Sequence, residues 1–159
     1  MKLSVKDIIN LIITIFVTLI FSIGLKSCCT EKYCFGAENL GGIEFINFLS
    51  NELDSTYLVF YQEGSDFLIV EDSIFLEINE YQETNTFYGQ SSRNISIYHD
   101  YRLYLINSKS IYTINEFNTS RAECNECFLK KDYYQRLENY KINGKVKQLS
   151  FLQIDKSTD

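Results

Sequence analysis

Six side chains in this 159-residue sequence could support covalent, metal or acid–base chemistry: five cysteines and a single histidine. Cys28, Cys29 and Cys34 form a CC-x4-C cluster, and Cys124 and Cys127 form C-x2-C far downstream. Four thiolates at such spacings could close a tetrahedron around zinc. A redox pair at Cys124 and Cys127 would need a helix N-terminus to stabilise the thiolate. The preceding Asn118–Glu123 stretch reads as loop or strand, and Glu123 and Glu126 oppose a thiolate by charge. In an oxidising compartment four cysteines read as two disulfides with three connectivities.

The other constellations are weaker. His99 lies in Tyr98-His99-Asp100-Tyr101, which reads as an exposed turn between strands. Asp100 could orient its ring for general-base work. No Gly-x-Ser-x-Gly frame accompanies it, and no glycine-rich phosphate loop is present. Glu71-Asp72 and the spaced Glu77, Glu80 and Glu83 could bind calcium or act as an acid/base pair. Without a glycine-turned ligand loop they read as the charged edge of a sheet. No catalytic residue, metal site or cofactor is expected. Asn94-Ile95-Ser96 and Asn118-Thr119-Ser120 fit glycosylation sequons.

Compartment decides the cysteine chemistry, and the first residues bear on it. Lys2 and Lys6 precede an apolar run from Ile8 to Leu25, diluted by Thr14, Thr18 and Ser22 and followed by Lys26-Ser27-Cys28. As a helix the run would span about 27 Å, between a secretory core and a full membrane span. A basic start, an apolar stretch and a small residue before cysteine read as an export signal closing on a lipidation site at Cys28. An uncleaved anchor with its lysines in the cytoplasm, or cleavage after Ser22-Ile23-Gly24, are the alternatives. All three send the remainder out of the cytoplasm. Lipidation would consume Cys28 and leave an even set: Cys29, Cys34, Cys124 and Cys127. Crosslinks between the two clusters, in an unknown order, would close loops of roughly 90 residues, each contributing about 4 kcal/mol in the chain-entropy model.

Leu25-Lys26-Ser27-Cys28 resembles the relaxed lipobox of Bacteroidota-type lipoproteins, with an aliphatic residue three before the cysteine and a small one just before it. Lys26 departs from the usual small or uncharged residue. The CC-x4-C and C-x2-C cysteines are also similar to those of small lipoproteins of that group. The resemblance implies a place in the bacterial cell envelope, periplasmic or at the surface, and no particular activity.

Loss of the leader with Lys2, Lys6, Lys26 and Asp7 leaves 12 basic and 20 acidic residues, a net charge of −8. That charge repels nucleic acid, and no basic patch interleaved with aromatics appears. It suits solubility or a cationic partner.

The body reads as β. Apolar or alternating runs recur at Ile43–Phe48, Thr56–Tyr61, Ser73–Ile78, Asn94–Tyr98, Arg102–Ile106 and Ser110–Ile114. Thr56–Tyr61 looks like an inner strand and Phe67–Val70 a short edge piece. Asn143-Gly144 predicts a two-residue hairpin turn joining Leu137–Ile142 to Lys145–Ile154, with Val146, Leu152 and Ile154 on one face. Tyr81–Ser92 reads as a long polar loop, and Lys130–Glu138 as a short helix or turn. The expected fold is mostly β, an antiparallel sandwich or small barrel of about seven or eight strands behind an N-terminal apolar helix. Residues 1–27 are assigned to a signal, 28–42 to a tether and 43–159 to the globular domain.

Aromatics are abundant, with 12 Tyr and 12 Phe but no Trp. Tyr57, Phe60, Tyr61, Tyr98, Tyr101, Tyr104 and Tyr112 could fill the core or form an outward stacking face for a sugar or peptide. The leading expectation is a noncatalytic, membrane-anchored envelope lipoprotein, a structural or binding module with an unknown protein or glycan partner. An inhibitor or immunity-type protein capping a basic toxin or hydrolase is the alternative. A four-cysteine zinc or thiol-redox protein is the third.

Overall fold

The computed structural model describes residues 5–26, 34, 36–81, 86–124 and 132–159. The chain divides into two compact units: residues 1–33 with 123–133, and residues 34–122 with 134–159.

In the first unit, α1 (Val5–Lys26) is a 22-residue helix. Ile9, Leu11, Ile12, Ile13, Ile15, Phe16, Val17 and Leu19 are each more than half exposed. The Thr14 and Thr18 hydroxyls donate to the carbonyls of Asn10 and Thr14, at 2.8 and 3.0 Å. This back-bonding satisfies both groups within the helix and leaves an apolar exterior. Among the described residues no helix is long and apolar enough to cross a membrane.

The second unit is mostly β, with two sheets and no closed barrel. Its strands are β1 (Gly42–Ile46), β2 (Thr56–Gln62), β3 (Val70–Phe75), β4 (Glu77–Tyr81), β5 (Thr86–Gln90), β6 (His99–Leu105), β7 (Ser110–Glu123), β8 (Tyr133–Ile142), β9 (Lys145–Lys147) and β10 (Leu152–Asp155); the outermost residues of β7 and β8 belong to the first unit. A single turn of helix, α2 (Ser50–Leu53), precedes β2. The four-stranded sheet runs β10-β1-β5-β4 and the six-stranded sheet β3-β2-β6-β7-β8-β9. Both feed one apolar cluster, with Ile43, Phe45, Phe87, Leu152 and Ile154 from the smaller sheet and Leu58, Phe60, Tyr101, Leu103, Ile114, Tyr140 and Ile142 among those from the larger. Each such large side chain contributes ~1.5–3 kcal/mol by leaving water.

Several expectations hold. Thr56–Tyr61 lies in an inner strand, between β3 and β6. Leu103 and Leu105 point inward. Asn143 and Gly144 turn the β8–β9 hairpin at φ 48° and 79°, the left-handed pair such a turn requires.

Others are corrected. The barrel alternative fails, because the sheets remain open. Ten strands are found among the described residues rather than seven or eight, and the pairing is not wholly antiparallel, since β1 and β10 are parallel. Ser73–Ile78 and Lys145–Ile154 are each split between the two sheets, and Val146 is 56% exposed while Leu152 and Ile154 are buried. Tyr81–Ser92 is not one long loop. Residues 82–85 lie outside the described set, but Thr86–Gln90 forms an inner strand and Gly89 packs against Phe45. The glycine there marks close approach rather than a turn.

Asn94–Tyr98 is irregular rather than a strand. Ile95 is nevertheless fully buried, and the segment bonds residues 37–40 through Leu40 N–H to Ile95 O and Ile97 N–H to Ala37 O. The described part of Lys130–Glu138 is strand, not helix. Its propensity yields to sheet pairing that buries Leu137, Tyr140 and Ile142. Residues 36–41, read as part of a tether, carry the buried Ala37, whose N–H donates to Gln135 O.

Gly42 sits where β1 passes β5. A Cβ there would collide with the Gly89 carbonyl oxygen and come within 2.7 Å of the Tyr88 ring. Gly42→Ala should therefore lower unfolding stability by about 1–3 kcal/mol in urea titrations. Gly36→Ala, whose Cβ meets nothing nearer than 3.9 Å, should show no comparable loss.

Candidate functional site

Cys34 and Cys124 are joined in a disulfide. This bond belongs to one of the two orders expected for crosslinks between the clusters. It also leaves neither sulfur as a thiolate for a metal. Cys28, Cys29 and Cys127 lie outside the described residues.

His99 is not an exposed turn residue. It opens β6, and its side chain is 16% exposed. Nε2 lies 2.9 Å from a Glu71 carboxylate oxygen, and Nδ1 lies 3.3 Å from Ser96 Oγ. Arg93 completes the cluster. Its guanidinium donates to Asp72 at 2.8 Å, lies 3.2 Å from His99 Nε2 and stacks 4.6 Å above the Phe60 ring. The arginine holds the Asp72 carboxyl below its usual range.

A β-bulge lets both carboxylates reach this cluster. Phe60 pairs with Asp72 and Tyr61 with Val70, so Glu71 is the extra residue. In a regular strand, side chains 71 and 72 would point to opposite faces.

Ser96, His99 and Glu71 thus form a line with the order of a hydrolytic triad. Access argues against that chemistry. Ser96 is only 6% exposed. Its backbone is clamped by Tyr101, whose hydroxyl accepts the Ser96 N–H at 2.8 Å and donates to its carbonyl at 2.5 Å. The cluster is a polar pin holding residues 91–98 to the larger sheet. Among the described residues, no group of three or more His, Cys, Asp or Glu side chains could hold a metal.

The remaining carboxylates do not gather. Glu77 and Glu80 are exposed on the edge strand β4, and Glu83 lies outside the described residues. The aromatics divide. Phe60, Tyr101 and Tyr112 enter the core. Tyr57 and Tyr104 stack 4.7 Å apart beside the exposed Phe75, Tyr61 packs on Phe67, and Tyr98 is exposed.

A cavity of about 340 Å³ opens instead on the smaller sheet, lined by Leu40, Gly42, Glu44, Tyr81, Tyr88, Phe151 and Leu152. This is within the usual ligand-pocket range of roughly 300–1,000 Å³. Strand register builds it. Gln153, Glu44, Tyr88 and Asn79 are cross-strand neighbours in one row, on the face opposite Ile43 and Phe45. Gly42 carries no side chain where the Tyr88 ring lies, so that ring packs directly on the β1 backbone. Tyr81 meets Tyr88 at 72°, with ring centroids 6.4 Å apart. Burial, with the nearby Tyr81 and Glu44, raises the Tyr88 hydroxyl above its ordinary pKa.

The far wall is fixed from beneath. The fully buried Tyr140 hydroxyl accepts the Gln153 N–H at 2.8 Å and donates to the Phe151 carbonyl at 3.1 Å. Burial pushes its pKa to about 12, so it remains a neutral donor. Sequence reasoning missed this site because Tyr81 and Tyr88 fell in a presumed loop and Phe151 in a presumed strand. The available signal was the β-favouring run Thr86-Phe87-Tyr88 just before Gly89.

No protein-family model, curated protein or solved structure matches the chain.

Two predictions follow from these contacts. Replacing Cys34 and Cys124 together by alanine opens a loop of about 90 residues and should cost about 2–5 kcal/mol in denaturant unfolding. Asp100 is 6% exposed and accepts the Gly64 N–H at 2.9 Å. Desolvation raises its pKa, as do Glu63, Asp66 and Glu116, although the Gly64 bond works the other way. A raised folded-state pKa means that the ionised form costs stability at neutral pH. Asp100→Asn keeps an acceptor and removes that charge. Its melting temperature should exceed wild type at neutral pH, and the advantage should shrink as pH falls through the carboxylate range.

Proposed function

We propose that this protein is a noncatalytic lipoprotein of the bacterial cell envelope, held to a membrane by acyl chains on Cys28, with a β-sandwich that acts as a binding module outside the cytoplasm. The observation that carries the anchoring is α1. Its described apolar side chains are exposed, its two threonine hydroxyls are satisfied within the helix, and it ends two residues before Cys28. Such a surface suits a lipid environment during export. The Cys34–Cys124 disulfide supports an oxidising compartment. The shared core of the two sheets supports a sandwich, one sheet on each side of it.

Binding rather than catalysis is supported by what the polar groups already do. The histidine cluster is closed on itself, whereas the cavity on the smaller sheet is open and mostly aromatic and aliphatic.

Intact mass of the protein taken from its native membrane tests the anchoring. A chain beginning at Cys28 with a diacyl or triacyl adduct is expected. Cys28→Ser should abolish the adduct and release the protein from the membrane fraction. Retention of Met1 on the wild-type chain would overturn the lipoprotein reading.

A further inference from the structure

The cavity on the smaller sheet has a chemical character that narrows its ligand. Its aromatic walls are Tyr81, Tyr88 and Phe151, and its one ionisable carboxylate is Glu44. Glu44 is half-buried, and one of its oxygens accepts the Gln153 side-chain amide at 2.5 Å. Among the described residues it has no cationic partner. Four carboxylates elsewhere in the domain do have one: Glu52 pairs with Lys156, Glu116 with Lys141, Glu138 with Arg136 and Asp72 with Arg93. A half-buried carboxylate beside three aromatic rings is an electrostatic site awaiting a cation, because the ring faces and the carboxylate oxygens are all negative.

The rings suit a bulky cation. Tyr81 and Tyr88 stand near a right angle and form a corner rather than a stack. Phe151 lies on the rim, 42% exposed, and its backbone is held by Tyr140. Leu40, Gly42 and Leu152 also line it.

A primary ammonium brings three N–H donors that need acceptors. The walls provide few, since Gln153 already occupies one Glu44 oxygen. A quaternary ammonium has no donors to satisfy, and its methyl groups pack on rings and leucines while its charge remains near the carboxylate. We propose that this cavity binds a trimethylammonium group, with Tyr81, Tyr88 and Phe151 against the methyl groups and Glu44 as the counter-charge. The proposal rests on the binding-module reading but not on the lipid anchor. It names the class of ligand rather than one metabolite, because a free solute and a lipid headgroup present the same group.

Calorimetric titration of the purified full chain with choline, glycerophosphocholine and the neutral choline isostere 3,3-dimethylbutan-1-ol tests it. Choline or glycerophosphocholine should bind saturably and at least about tenfold tighter than the isostere, the scale of a desolvated cation–π contact. Preference for choline points to a free solute and preference for glycerophosphocholine to a lipid headgroup, and either supports the site. Glu44→Gln and Tyr81→Leu, both at partly exposed positions, should each weaken binding by about tenfold, while Tyr57→Leu on the other sheet should not change it. Equal binding of the isostere, or binding unchanged by Glu44→Gln, would overturn the cation assignment and leave an apolar pocket. No saturable binding of any of the three would overturn the site itself. Acylation of Cys28, read by mass on the same preparation, separates either failure from failure of the membrane anchor.

Discussion

Strand β1 is the constraint on which the domain depends. It pairs in parallel with β10 and antiparallel with β5, so Ile43 meets Leu152 on one side and Gly89 on the other. The beginning and end of the domain are joined through this strand, and Ile43 and Phe45 go fully into the core. The pairing is tight because Gly42 and Gly89 omit their side chains where Tyr88 and Phe45 must pass. Removing β1 from this place would unpair two strands and uncover the larger sheet.

Two buried tyrosines extend that order to the irregular residues before β6 and to the start of β10. Tyr101 clamps Ser96 from β6, and Tyr140 clamps Phe151 and Gln153 from β8. In both cases the ring fills the core and the hydroxyl bonds backbone groups of a neighbouring segment. The pairing partners matter for function. The first clamp helps hold Ser96 near His99, and the second sets the wall of the cavity. Burial pushes both hydroxyls to about pH 12, so neither clamp loses its proton near neutrality.

The surroundings of His99 and of Glu44 are electrostatic opposites. Around His99, the Arg93 guanidinium sits over Phe60 with Asp72 as its ion-pair partner and Glu71 against the imidazole, and the result is a closed pin. Around Glu44 the carboxylate has only an amide neighbour and aromatic rings. The same residue types therefore give a structural cluster at one place and a receptive one at another. The difference is whether Arg93 has a counterpart, and the smaller sheet supplies none to its cavity.

Residue types and alternation by themselves determined that the domain would be mostly β, that Thr56–Tyr61 would be central, that Leu103 and Leu105 would face inward and that Asn143-Gly144 would turn a hairpin. These are local properties of period, branching and positive φ. The pairing of Cys34 with Cys124 was legible only as one of several possibilities, because spacing does not determine connectivity.

Tertiary structure alone decided where the chain changes sheet. Leu76 links β3 to β4, and residues 148–151 link β9 to β10. Apolar alternation runs through Ile74, Leu76 and Ile78 across the first link because the two sheets bury the same core, so the pattern there carries no mark of the crossing. The cavity was hidden for the same reason. Glu44, Tyr88 and Gln153 lie far apart in sequence, and only strand register makes them neighbours.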